Sequence, residues 1–418
     1  MPNRFRTLRI ILLQAGLAML LCACGEKPAP APAPVSPART GKTLLMHYMP
    51  WYRTPAVRGS WGSHWTGPDQ QHHPDQTGPD GLPDIWSHYH PRIGLYDSTD
   101  RAVLECQLLQ MKLAGVDGVV VDWYGLGRSA DYPEMHVASC LLYDVAGELG
   151  LSFAACYEDR SIQLMVEWGE LAPGQTTNHL AETFQWMQRE WFAGAHYHRL
   201  DGRPLVLNFG PMYMRSPAAW AAAMSGLPVR PAFYALHHLW RTAGADGGFT
   251  WVHPDPWDGG FSDETVKVRI GEVFTYFSTN TAEVLVSAFP GFNDVYAEGH
   301  RRLDHRGGAV MRQTLEVAMK GPWPVVQLVT WNDYGEGTMI EPTEEFGYAF
   351  LEAIQEARRR ESGPEFPFTA ADLRLPERLL EMRRAGRVPA AALDRIARRL
   401  KEGACSEARR ELDGLAPP

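Results

Sequence analysis

The amino-acid sequence predicts a (β/α)8 TIM-type barrel with a small C-terminal helical appendage, on three observations. From Gly41 onward, short apolar runs alternate with longer amphipathic ones. Most of the short runs are too apolar for a sheet with one wet face, the pattern of parallel strands covered on both sides. Eight of them fall within residues 41–362, the number that closes a barrel of this kind.

The expected strands are 43–48, 118–122, 152–157, 204–208, 232–236, 249–252, 283–288 and 325–330. Helices are expected between them. Ser98-Thr99-Asp100 can cap one whose apolar face is Val103, Leu104, Leu108, Met111 and Leu113, and Gly115 ends it. Others are expected over 136–149, 180–192, 263–277, 309–319 and 344–360. Residues 51–91, rich in Gly, Pro, His and Trp, follow the first strand, so they form a loop on the barrel face where such folds build their sites. Beyond Pro364 the chain reads as short helices over 373–384, 390–402 and 406–415.

The N-terminus stands apart from the barrel. Arg4, Arg6 and Arg9 precede an apolar run from Ile10 to Leu21. That run is shorter than the ~20 residues a membrane-spanning helix needs. It ends in Leu21-Cys22-Ala23-Cys24, which resembles the lipobox of bacterial lipoproteins, with Cys24 as the acylated residue. The alternating Pro-Ala stretch from Pro28 to Pro34 then reads as an extended spacer. The expected organisation is a signal peptide over 1–24, a linker over 25–40, the barrel over 41–362 and the appendage over 363–418. The expected location is the cell envelope, at the outer membrane or cell surface, with the lipid as the only membrane attachment and the protein a monomer.

A net charge of −9 argues against a nucleic-acid partner, which would require a basic face. Outside the signal region, Cys106, Cys140, Cys156 and Cys405 lack metal-binding spacing or the density of a disulfide scaffold, and are expected as buried thiols. His47, His64, His237, His238 and His253 fall into no compact metal-binding motif, and no glycine-rich phosphate loop is present, so neither a metal nor another cofactor is expected.

Catalytic groups of a barrel hang from the C-terminal ends of its strands. Here those ends carry carboxylates beside aromatics: Asp122-Trp123-Tyr124, Tyr157-Glu158-Asp159 and Trp331-Asn332-Asp333-Tyr334-Gly335-Glu336. Glycoside cleavage requires two carboxyls, one to protonate the leaving oxygen and one to assist attack at the anomeric carbon. Neighbouring aromatics desolvate the acid and raise its pKa.

Met49-Pro50-Trp51-Tyr52, Ser63-His64-Trp65, the run from Gly118 to Gly125 and the run from Trp331 to Thr338 resemble glycoside hydrolase families 71 and 99. The resemblance covers about Thr43 to Phe350. Family 99, the endo-α-mannosidases, carries WNEWxEGT after strand eight; family 71, the α-1,3-glucanases, carries WNDYGES. This chain joins the Asp-Tyr-Gly-Glu core of the second to the Gly-Thr continuation of the first. The resemblance implies Asp333 and Glu336 as the catalytic pair; Glu336 is read as general acid and Asp333 as base or 2-hydroxyl assistant, an assignment that the sequence leaves reversible. Tyr48, Trp51, Tyr52, His64, Trp65, Asp122, Trp123, Tyr124, Glu158, Asn208, His253, Trp331, Asn332 and Tyr334 are the expected sugar-binding residues. An α-glucan is the favoured substrate, an α-mannan the alternative, and a barrel that binds glycan without cutting it the reading from another class.

Overall fold

Eight parallel strands close on themselves in the computed structural model, which describes residues 41–252, 271–272, 275, 283–296 and 302–415. They are β1 (Thr43–Tyr48), β2 (Gly118–Trp123), β3 (Ser152–Tyr157), β4 (Arg203–Asn208), β5 (Ala232–Leu236), β6 (Gly247–Phe249), β7 (Val284–Ala288) and β8 (Val325–Leu328). Each pairs with its sequence neighbour, and β8 pairs with β1 from Thr43↔Val325 to Met46↔Leu328, closing the barrel. The (β/α)8 expectation holds.

The strand most displaced from expectation is β6, which starts two residues earlier and ends at Phe249. Its first residues are Gly247 and Gly248, which carry no apolar side chain to signal a strand. A Cβ on Gly247 would stand 2.4 Å from the Glu283 carbonyl oxygen, so the close approach of β6 to β7 is made by glycine. The expected helix over 263–277 falls for the most part outside the described residues, as do the signal peptide and its Cys24, the linker, and His253.

The covering helices are α1 (Arg101–Ala114), α2 (Tyr132–Leu149), α3 (Arg160–Glu167), α4 (Thr176–Met187), α5 (Pro217–Met224), α6 (Ala309–Lys320) and α7 (Ala349–Ser362). In α1 the Asp100 carboxylate accepts from the N–H groups of Ala102 and Val103, satisfying donors that a helix start leaves unpaired. Short helices α3 and α5 were not foreseen; α5 begins at Ser216-Pro217, where the serine hydroxyl accepts from the Ala219 N–H.

Alternation along the strands sorts the core into two sides. Leu44, Met46 and Tyr48 of β1 pack outward with the helices, as do Val119, Val121 and Trp123 of β2. Leu45, Val120, Ala154, Cys156, Leu205 and Leu207 fill the barrel interior. This parity, period two along each strand, decides which mouth residues can face a substrate.

The C-terminal helices α8 (Leu375–Ala385), α9 (Ala390–Lys401) and α10 (Cys405–Leu415) bury Leu379, Leu380, Leu393, Leu400 and Leu412 in the same apolar core as α1. Arg383 joins them to α1 through Glu105 at 2.7 Å. At the opposite end of β1, fully buried Arg358 of α7 donates to the carbonyls of Gly115 and Lys42, each at 2.6 Å, and pairs with Asp117 and Glu361.

Candidate active site

The segment after β8 folds into a tight turn because its own side chains cap it. The Asp333 carboxylate accepts from the Glu336 N–H at 2.9 Å and from the Tyr296 hydroxyl at 3.1 Å. Thr330 Oγ1 accepts from the Asp333 N–H at 2.8 Å, and the Thr338 N–H returns to the Asp333 carbonyl at 3.1 Å. Gly335 lets Tyr296 lie against the turn: a Cβ there would stand 2.0 Å from its ring. Backbone bonds from Asn293 to Glu336 and from Val295 to Gly335 bind the turn to the segment after β7.

Behind the turn, a buried polar cluster fixes its orientation. Asn332 accepts from the Met49 N–H at 2.8 Å and donates to the Met49 carbonyl at 3.0 Å, which clamps the end of β1. Tyr52 donates to the Asn332 carbonyl at 2.7 Å. Glu341 accepts from the hydroxyls of Tyr96 (2.8 Å) and Tyr334 (2.9 Å) and from the Gln107 amide (2.7 Å).

Four carboxylates share the barrel mouth. Asp333 is 3% exposed and Asp122 2%, while Glu158 and Glu336 are half-buried. Burial raises Asp333 to about 6, against the opposing hydrogen bonds from Glu336 N–H and Tyr296. Burial pushes Glu336 well above the usual carboxylate range, with the Asp333 charge adding to it. Burial likewise raises Asp122, followed by the charge of Asp333, and raises Glu158, followed by that of Asp122. Trp251 donates its indole N–H to Glu336 at 3.2 Å. The arrangement supplies one carboxyl biased towards its acid form and a second whose anion is held by two donors.

Where the mouth meets the barrel interior, Asp122 lies beside His47 and Cys156, from three adjacent strands. Their ligand-type atoms are all within 4.8 Å of one another.

The predicted sugar-binding residues divide into two groups. Asp122, Tyr124 and Glu158 stand at the mouth with Asp333 and Glu336 and act on one another electrostatically. Trp51 stacks on His64, ring centroids 4.1 Å apart. Trp51 and Tyr52 line a cavity of about 400 Å³ together with Arg53, Trp61, Asp131 and Glu134. The others are corrected by the structure. Strand parity turns Tyr48 outward, where its hydroxyl donates to Gln107 at 2.7 Å. It turns Trp123 into a cluster with His136, Trp186 and Trp191. Asn208 donates to the Tyr157 carbonyl and to Asp159. Trp65 is fully buried among Tyr52, Tyr96 and Tyr334. Trp331, Asn332 and Tyr334 are fully buried in the layer that supports the turn. These side chains shape the site from behind.

No family model matches this chain. It is 25% identical over 346 residues to a human glycoprotein endo-alpha-1,2-mannosidase-like protein, covering 74% of this chain and 70% of that one. To the rat glycoprotein endo-alpha-1,2-mannosidase it is 22% identical, covering 70% and 66%. Among solved structures, the GH99 endo-alpha-mannosidase from Bacteroides thetaiotaomicron superposes with a TM-score of 0.56 at 20% identity, covering 77% of this chain and 97% of that one. The chain is related to glycoside hydrolases.

Trp251 and Tyr296 are not singled out by the sequence as site residues: Trp251 falls within the expected strand 249–252 and Tyr296 beyond the expected strand 283–288. Cys156 is expected only as a buried thiol. The four cysteines in the described residues are free thiols, three buried and Cys140 partly exposed.

Proposed function

We propose that this chain is a glycoside hydrolase that cleaves α-mannosyl linkages within a glycan, with Glu336 as general acid and Asp333 as the carboxylate that assists attack. The observation that carries the assignment is the unequal treatment of the two groups. Asp333 has two hydrogen-bond donors for its anion, while Glu336 sits beside that anion with a single indole donor. A carboxylate pair whose environments push the two pKa values apart supplies an acid and a base at one pH. Glu336 then protonates the departing glycosidic oxygen, and Asp333 takes a proton from the attacking water or from the sugar's own 2-hydroxyl. Asp122 and Glu158, across the mouth, are placed to accept from sugar hydroxyls.

The sequence favours an α-glucan, but the similar proteins are named endo-alpha-mannosidases, which supports the α-mannan alternative. The test is incubation of the protein with defined α-mannans and α-glucans, followed by separation of the released oligosaccharides. Oligosaccharides from α-mannan, lost in Glu336→Gln, support the proposal. Release from α-glucan alone overturns the substrate. Tight binding of glycan with no cleavage overturns the enzyme reading in favour of a capture protein.

We also propose that Cys24 is acylated and anchors the protein to the envelope, on the strength of the lipobox-like Leu21-Cys22-Ala23-Cys24. Labelled fatty acid entering the protein but not Cys24→Ala is the expected result, and equal labelling rejects it.

A further inference from the structure

We infer that His47, Asp122 and Cys156 form a binding site for one zinc-class divalent metal ion where the mouth meets the barrel interior. The site shares Asp122 with the mouth, but its test does not depend on the glycosidase reading.

The three side chains come from β1, β2 and β3, with Asp122 in register with Cys156 and His47 in register with Val120, and parity turns all of them inward. Exposure is 0% for His47, 2% for Asp122 and 0% for Cys156. His47 Nε2 lies 3.9 Å from Asp122 Oδ1, too far for a hydrogen bond. Oδ1 of Asp122 has no hydrogen-bond partner among the described residues, and the His47 ring meets only the Gln327 amide. Buried polar atoms of proteins are almost always partnered, and one left without a partner costs about 1–3 kcal/mol. Here one ring nitrogen of His47 and Oδ1 of Asp122 face each other, and the Cys156 sulfur lies within 4.8 Å of both.

An imidazole, a carboxylate and a thiolate are the donor types zinc takes, with bonds of about 2.0–2.3 Å, so Cys156 releases its proton to solvent as the ion binds. One ion drawn between these atoms requires them to close from the 4.8 Å within which they lie, a movement that side-chain rotation supplies. Three protein ligands leave a fourth position open. Gln327 of β8 lies beside the His47 ring, where its amide oxygen can take the ring's second N–H, the partner a metal-bound histidine usually has.

The test uses full-length protein purified without a histidine tag, chelated and then titrated with Co²⁺ or Zn²⁺. We expect one metal per chain by elemental analysis and, with Co²⁺, a near-ultraviolet sulfur-to-cobalt charge-transfer band. Cys156→Ser, which preserves side-chain volume, should lose that band. His47→Gln should weaken affinity at least ~100-fold, beyond the loss typical of groups that merely orient a ligand. Thermal unfolding of each variant checks its fold, and should either variant fail to fold, the band in the unaltered protein decides. No bound metal, a Co²⁺ spectrum without the sulfur band, or affinity unchanged in both folded variants overturns the site. Glycan cleavage is read in separate assays, so failure of one proposal leaves the other standing.

Discussion

Glu341 offers a direct test of how the catalytic turn is held. The residue is 1% exposed and receives three hydrogen bonds, from Tyr96, Tyr334 and Gln107. Glu341→Ala strips the acceptor from three buried donors. At about 1–3 kcal/mol for each donor, and with tyrosine hydroxyls free to rotate towards other partners, the expected loss is about 4 kcal/mol. Glu341→Gln keeps the shape and an acceptor oxygen, and separates packing from charge. Burial raises the Glu341 pKa from 4.5 to about 7. The sign follows from linkage. A raised carboxyl contributes its stability in full below the unfolded pKa and loses it as pH rises through the folded value. At about 1.4 kcal/mol per unit, the native protein should lose about 3 kcal/mol from this group between pH 4.5 and 8, and Glu341→Gln should not. Urea unfolding of the full-length protein and both variants at pH 5 and pH 8 measures this. The glutamine variant should be near neutral or mildly destabilised at pH 5 and gain on the native protein at pH 8. A Glu-to-Gln difference that does not move with pH, or a loss below about 1 kcal/mol in Glu341→Ala, would refute the reasoning.

Glu336→Gln should lower kcat on an unactivated glycan by roughly 10²–10⁴, the usual worth of a general acid, and lower it far less on an aryl glycoside. Asp333→Asn should damage both substrates alike, and a variant that spares both would reverse the roles. The pH–rate profile of kcat/KM should have its acidic limb near the value of about 6 to which Asp333 is raised, falling again at higher pH as Glu336 ionises; a flat profile between pH 5 and 7 contradicts the assignment. Arg358→Met should cost about 1–3 kcal/mol in urea unfolding, because it takes the donors from the Gly115 and Lys42 carbonyls and the cation from the partly exposed Asp117 and Glu361, while an unchanged stability would show that the pairing is not structural.

The barrel and the turn after β8 were legible in the chain itself. Buried parallel strands must be apolar on both faces, so six-residue runs such as Thr43–Tyr48 and Ser152–Tyr157 announce themselves, and the helix opening at Asp100 carries its own cap. The strand β6 did not, because glycines chosen for close approach leave no apolar signal. The Asp333–Glu336 pair was legible because both carboxylates belong to one short segment that caps itself. What the chain does not print is which way each neighbouring side chain points. A one-residue difference in parity sends Tyr48 to the helices and His47 to the interior, and only closure of the barrel fixes that choice. Closure also brings together side chains separated by long stretches of sequence. Trp251 reaches Glu336, Tyr296 reaches Asp333, and His47 meets Asp122 and Cys156. Local propensity acts over a few residues and so determined the strands and the turn. The depth of burial and the mutual repulsion that set the carboxyl pKa values act through space, and the tertiary structure alone decided them.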